Sequence, residues 1–254
     1  MLKYETVYNG KDEWCVFVHG IGGSTRTWKK QISDFSNKYN LLLLDLPGHG
    51  ENADTIIYSV DDDLLNNGIK DTLDHLRIKQ AHFIGLSLGT IVIAQFALKF
   101  PAYIKSLIFG GAALKVCGIY KSIIRFANNA KEIIPYKMMY KLFAWFMMPK
   151  ENHKKSRRIF VREVEKLNNR SMFAWIEYLK FTLYPEKIMK KLDRLGKRIL
   201  FVSGDEDHCF LKGSRELADM MDSAEIAIIE KCGHVCSIEK SDLFNRQVLN
   251  YLAA

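Results

Sequence analysis

The chain has 254 residues, 48% of them hydrophobic, and a formal net charge of +8. That much apolar sequence fills one large core and excludes a disordered chain, and the length suits one α/β domain carrying an insertion. No apolar run reaches the roughly 18 to 20 residues that span a bilayer, and the positive charge comes with no helix-turn-helix, zinc-finger or RNA-binding signature, so no nucleic-acid partner is expected.

Met1-Leu2-Lys3-Tyr4-Glu5 leads directly into strand-like sequence, without the basic segment, apolar run and small-residue cleavage site of a secretion signal. Five cysteines, an odd number, argue for reduced thiols, and a cytoplasmic location is the expectation. Thr6-Val7-Tyr8 before Asn9-Gly10 reads as a short edge strand and a turn. Trp14 to Val18 is the first fully apolar run, suited to a parallel strand covered on both faces. It ends in the glycine-rich His19-Gly20-Ile21-Gly22-Gly23-Ser24, with a helix expected around Trp28 to Phe35. The next run, Leu41 to Leu44, ends at Asp45-Leu46-Pro47-Gly48-His49-Gly50. Ser59, with Asp61 and Asp62 close behind, has the character of a helix cap, and that helix is expected to reach about Leu76.

Phe83-Ile84-Gly85-Leu86-Ser87-Leu88-Gly89-Thr90 reads as an apolar strand that turns through Gly-x-Ser-x-Gly into an apolar helix. A serine at such a corner is forced into a cramped backbone, which calls for glycine on both sides and leaves the hydroxyl exposed above the sheet. Ile104 to Phe109 is a further strand, closed by Gly110-Gly111. From Ala112 to about Pro185 the strand and helix alternation stops. Met138, Met139, Leu142, Phe143, Phe146 and Met147 recur at helical spacing opposite Lys137 and Lys141, and packing against the main domain is the expected role of most of them. Phe160, Val164 and Leu167 form a second stripe, and Phe173, Ile176, Leu179 and Leu183 a third. Between residues 112 and 190 there are 17 Lys plus Arg against 6 Glu and no Asp, so the basicity belongs to this segment. Alternation resumes with a strand from Arg198 to Ser203, a helix near Gly213 to Met221, the strand Ile226 to Ile229 and a last helix near Leu243 to Leu252.

A serine hydroxyl is a poor nucleophile unless a base takes its proton, and the base needs a third group to fix its tautomer. Gly204-Asp205-Glu206-Asp207 supplies acids directly after one strand, and Cys232-Gly233-His234 supplies a histidine after the next. The order Ser87, Asp207, His234 is the one such a fold permits. Asp205 is the rival acid, and no carboxylate follows the strand ending at Phe109. His19, His49 and His208 read as loop residues. Cys232, Cys236, His208 and Cys209 lack the paired spacing of a structural zinc site, so no metal is expected.

On these motifs the sequence resembles the α/β-hydrolase superfamily, and in particular its lid-bearing serine hydrolases. Those include carboxylesterases such as pimeloyl-carrier-protein methyl ester esterases, monoacylglycerol-lipase-like esterases and carbon-carbon bond hydrolases. Gly85-Leu86-Ser87-Leu88-Gly89 matches the nucleophile elbow, Asp207 the acid motif, Cys232-Gly233-His234 the histidine loop and His19-Gly20-Ile21 the loop that lends a backbone donor. The resemblance implies a mostly parallel sheet with helices on both faces, a core of residues 1–111 and 186–254, and a helical lid over 112–185. It implies Ser87, Asp207 and His234 as the catalytic triad, Ile21 and Leu88 as the oxyanion-hole amides, and no cofactor. The expected reaction is cleavage of a carboxylic ester with an apolar, short-to-medium acyl group. Carbon-carbon cleavage of a diketone-like substrate, or a ligand-binding signalling role that keeps the triad, are the alternatives. Asn52, Lys212 and Ser241 depart from common family residues without touching the catalytic set. The basic lid surface reads as a solvated face, a dock for an acidic carrier protein, or a contact for anionic lipid.

Overall fold

Four runs without polar alternation, Cys15–Val18, Leu41–Leu44, Phe83–Leu86 and Ile199–Val202, can only be strands covered on both faces, and all of them are buried. The computed structural model describes residues 1–115, 122, 125–126, 129, 134–181 and 185–254. Its sheet has seven strands: β1 (Lys3–Val7), β2 (Trp14–Val18), β3 (Asn40–Asp45), β4 (Ala81–Leu86), β5 (Ile104–Gly110), β6 (Arg198–Gly204) and β7 (Ala224–Ile229). They lie in the order β1-β3-β2-β4-β5-β6-β7. All neighbours are parallel except β1, which runs antiparallel to β3 at the edge.

Helices α1 (Lys29–Ser36), α2 (Asp62–His75) and α3 (Leu88–Lys99) connect the first strands. The start of α2 is capped by Asp61, whose carboxylate accepts the Leu64 N–H at 2.7 Å. The sequence suggested Ser59; aspartate caps as well as serine, and Asp61 is the residue placed three before a free amide. Helix α3 is apolar on all sides because it lies sandwiched in the core, with Phe96, Val92 and Ile93 fully buried.

Between β5 and β6 come α4 (Tyr136–Met147), α5 (Lys154–Val164), α6 (Asn169–Phe181) and α7 (Pro185–Asp193). Leu183, expected in the third stripe, lies outside the described residues. In α4 the sequence expectation needs correction. The buried face is Tyr136, Tyr140, Ala144 and Met147, whereas Met138 and Leu142 face outward on the same arc as Lys137 and Lys141. A periodicity count weights large aliphatic side chains, but here two tyrosines and an alanine give the close fit to the core.

The inserted helices are tied to the core by polar contacts. Tyr178 donates to Asp62 at 2.7 Å, and Trp175 donates its indole N–H to the Pro47 carbonyl at 3.0 Å. Lys150, Asn152 and His153 converge on Glu206 at 2.8 Å each. Hydrogen bonds from Asn152 and Lys150 hold the Glu206 carboxyl down at about 2. The chain ends with α8 (Leu211–Asp219), α9 (Cys236–Glu239) and α10 (Ser241–Ala253), and α10 is joined to α1 by a buried hydrogen bond from Gln31 to Asn245 at 2.9 Å.

Candidate active site

Ser87 sits between β4 and α3 with φ 51° and ψ −117°, a conformation that costs of order 1–3 kcal/mol and persists only where its surroundings impose it. The surroundings do impose it. A Cβ on Gly89 would lie 2.2 Å from the Val18 carbonyl oxygen, and one on Gly85 would lie 2.6 Å from that of Gly89. Strand β2, β4 and the first turn of α3 therefore approach as backbone against backbone. The Ser87 N–H donates to Gly110 at 2.9 Å, and Thr90 Oγ1 donates to the Ser87 carbonyl at 2.6 Å.

Two loops at the carboxyl ends of β6 and β7 bring the other groups. His234 Nε2 lies 2.9 Å from Ser87 Oγ, and His234 Nδ1 lies 2.8 Å from Asp207 Oδ2. Asp207 also accepts the Phe210 N–H at 3.2 Å, while the Phe210 ring packs on the imidazole at 4.8 Å. Asp207 and His234 are both 1% exposed and Ser87 is half-buried, so the hydrogen-bonded line of serine, imidazole and carboxylate has its acid and base shielded from bulk water. That line lets the imidazole take the hydroxyl proton while the carboxylate stabilises the resulting charge.

The rival acid is spent elsewhere: Asp205 accepts the Cys232 N–H at 3.2 Å and so staples the two loops together. Glu239, which the sequence did not single out, accepts the N–H groups of Gly233 at 2.7 Å and Val235 at 3.3 Å on either side of His234. Gly111, at φ +51°, passes so close that a Cβ there would meet the His234 carbonyl oxygen at 2.5 Å. Cys232 and Cys236 are buried free thiols, and burial pushes both above the usual thiol range. Among the described residues no group of three or more His, Cys, Asp or Glu side chains could hold a metal ion.

A family model described as the alpha/beta hydrolase fold matches residues 14–241. The chain belongs to the α/β-hydrolase family. It is a hydrolase, and its relatives span several reactions. It is 25% identical to a 2-hydroxy-6-oxononadienedioate/2-hydroxy-6-oxononatrienedioate hydrolase of Comamonas testosteroni, over 96% of this chain and 89% of that protein. It is 30% identical to 3-oxoadipate enol-lactonase 2 of Acinetobacter baylyi over 45% of this chain and 43% of that protein. The solved structure of MenH from S. aureus superposes with a TM-score of 0.85 at 18% identity, covering 100% of this chain and 98% of that one.

In this α/β-hydrolase the loop after β2 is held by two histidines that make no hydrogen bond to Ser87. His19 Nε2 accepts the Leu46 N–H at 3.1 Å, and its Nδ1 pairs with the Gly20 carbonyl at 2.7 Å. His49 Nε2 accepts the Gly22 N–H at 2.9 Å, and its Nδ1 pairs with the Pro47 carbonyl at 3.1 Å. These bonds assign both rings as neutral, with the proton on Nδ1. Buried Asp45 fixes the same region through the N–H groups of Thr25 at 2.7 Å and Glu51 at 3.0 Å. Tyr140, from the insertion, donates to the Ile21 carbonyl at 3.0 Å. The N–H groups of Ile21 and Leu88, by contrast, have no hydrogen-bond partner among the described residues.

Burial pushes the pKa of His19 and of His49 below the ordinary histidine value, and burial together with the charge of Arg198 lowers His82 to about 4. Unfolded histidines bind protons below about pH 6.5, whereas these three resist protonation until lower pH. Their contribution to stability is therefore full above about pH 6.5 and lost as the pH falls toward the folded values. The hydrolase is expected to melt at progressively lower temperature between about pH 6.5 and 5, a window above ordinary carboxylate titration. Thermal melts of His82→Gln should show a shallower slope there; an unchanged slope would remove His82 from the account.

The space above Ser87 is narrow. A cavity of about 20 Å³ is bounded by Gly20, Ile21, His234 and Ile238 below and by Ile159, Phe160 and Glu163 of α5 above. It holds about one water, against several hundred Å³ for a small-molecule pocket.

Proposed function

We propose that this hydrolase cleaves a carboxylic ester with an apolar, short-to-medium acyl group through an acyl-enzyme. The observation that carries the reading is the hydrogen-bonded line from Asp207 through His234 to Ser87 beside the unspent amides of Ile21 and Leu88. Ser87 Oγ attacks the ester carbonyl carbon as His234 Nε2 takes its proton, and the carbonyl electrons move onto an oxygen held by the two amides. Collapse breaks the carbon-oxygen bond to the alcohol, which leaves with the proton from His234. Water then attacks the acyl carbon with His234 as base, the bond from that carbon to Ser87 Oγ breaks as His234 returns the proton to Oγ, and the acid departs. Asp207 orients the imidazole and stabilises its charged form. Each oxyanion donor supplies roughly 100- to 1000-fold in rate.

The wall of the cavity supports the proposed substrate class. Ile159, Phe160, Ile21 and Ile238 suit an acyl chain, and the lining side chains among the described residues include a carboxylate, Glu163, but no Lys or Arg. The name of the Comamonas relative denotes a dicarboxylate, and among the described residues no cationic side chain lines the cavity to receive one. The name of the enol-lactonase relative denotes hydrolysis of a lactone, an internal ester. In this reading residues 112–185 act as a lid, because α5 must withdraw before a substrate fits. The buried thiols Cys15, Cys209, Cys232 and Cys236 suit a reducing compartment, and the cytoplasm is the proposed location. Among the described residues no helix is long and apolar enough to cross a membrane.

Carbon-carbon hydrolysis stands as the second reading, favoured by the relative aligned over 96% of this chain. A p-nitrophenyl ester series from acetate to dodecanoate, run beside 2-hydroxy-6-oxo-dienoates with product analysis, separates the two. The ester reading expects turnover of the esters with an optimum at short-to-medium length and little cleavage of the dienoates. Dienoate cleavage with a higher kcat/KM than any ester would overturn it.

A further inference from the structure

The outward face of α4 is an apolar feature of the insertion that the proposed reaction does not use. Met138, Leu142 and Trp145 stand at i, i+4 and i+7 and are 50%, 64% and 57% exposed. They form a ridge about 10 Å long on a convex helix surface. Scattered exposed hydrophobics need no explanation, but three large ones aligned on a single helix do. Trp145 is held in place by the Arg157 guanidinium, stacked 3.6 Å from its ring centroid, so the indole stays presented outward.

The surroundings of the ridge are cationic. Lys137 and Lys141 share its exposed arc, and the adjacent α5 turns Lys155 and Arg158 to solvent. Lys141 is neutralised by Glu165 at 3.1 Å, but Lys137, Lys155 and Arg158 form no ion pair with the described residues. The segment from 112 to 190 carries 17 basic residues against 6 acidic ones. A second copy of the chain docking ridge to ridge would bring these cations against each other. A convex apolar line with a tryptophan, bordered by unpaired Lys and Arg, is instead complementary to a fluid apolar layer under anionic headgroups.

We propose that the outer face of α4 and α5 docks on an anionic bilayer surface, with Met138, Leu142 and Trp145 entering the interface and Lys137, Lys155 and Arg158 meeting the headgroups. The inner face of α5 lines the cavity at Ser87 with Ile159 and Phe160, so the docked surface lies on the other side of the helix that walls that cavity. The proposal does not depend on which bond the enzyme cleaves, because binding is measured without turnover.

The test is co-sedimentation of the full chain with phosphatidylglycerol vesicles and with phosphatidylcholine vesicles. Binding to the anionic vesicles alone is expected, and it should collapse as ionic strength rises from about 0.1 M to about 1 M and the Debye length contracts from about 10 to 3 Å. Each cation near the surface is worth about fivefold in partitioning, so the double substitution Lys155→Glu with Arg158→Glu should weaken binding more than about 25-fold. Leu142→Asp should abolish it. Circular dichroism and hydrolysis of a water-soluble short ester should be unchanged in both variants. If Leu142→Asp fails to fold, the charge variant and the salt series still decide. Three results would overturn the proposal: no binding to anionic vesicles, equal and salt-insensitive binding to both kinds, or a wild-type dimer that Leu142→Asp dissociates.

Discussion

Ser87→Ala is expected to lower kcat on a p-nitrophenyl ester by about a million-fold, to the level that binding and the oxyanion amides sustain alone. The size of the effect follows from the geometry. His234 Nε2 has Ser87 Oγ as its partner at 2.9 Å, and removing that oxygen leaves a base with nothing to activate. The fold should be retained. The strained backbone is imposed by Gly85 and Gly89, and a methyl occupies no more space than the hydroxymethyl group it replaces, so the melting temperature should shift by less than about 4 °C. Fluorophosphonate labelling of the wild type, lost in the variant, gives an independent reading of the same oxygen. Persistent labelling, or residual activity above about 1%, would sink the assignment of Ser87 as nucleophile.

Asp207→Asn should cost about 10⁴-fold in kcat, because an amide beside Nδ1 favours the wrong imidazole tautomer and removes the charge that stabilises the imidazolium. The neighbouring acid makes this a sharp comparison. Asp205 is two residues away in the same loop, yet its carboxylate is engaged with the Cys232 N–H. An asparagine can still accept that bond through its amide oxygen, so Asp205→Asn should cost less than about tenfold. Steady-state kinetics of the two variants on one ester decide between them. Equal losses, or a larger loss at Asp205, would reject Asp207 as the orienting acid.

Both predictions concern residues that a linear reading can find, for a physical reason. A strand must end where its apolar run ends, and in a parallel sheet all strand ends on one side form one edge. The loops carrying Ser87, Asp207 and His234 are therefore brought to a common edge by the strand pattern itself. Glu239 and Tyr140 were not legible in that way. Glu239 lies on a short helix after the histidine loop and acts through the amides of Gly233 and Val235, a relation with no sequence period. Tyr140 belongs to the insertion, and its bond to Ile21 bridges 119 positions.

The insertion marks the boundary between the two kinds of information. Helical periodicity identified α4, but not which face it buries, because amphipathic spacing defines an arc and a packing partner decides its orientation. Here the partner accepts Tyr136, Tyr140, Ala144 and Met147, which leaves Met138, Leu142 and Trp145 in solvent. By itself the sequence determined the parallel α/β core, the serine corner and the order of acid and histidine, since each follows from local pattern and chain connectivity. Only the tertiary structure decided that Asp205 is taken up by the Cys232 N–H while Asp207 meets His234, and that Ile159 and Phe160 of α5 line the cavity at Ser87. It also decided that the ridge on α4 faces outward. Those outcomes depend on distances of a few ångströms between segments far apart in the chain, which no local pattern encodes.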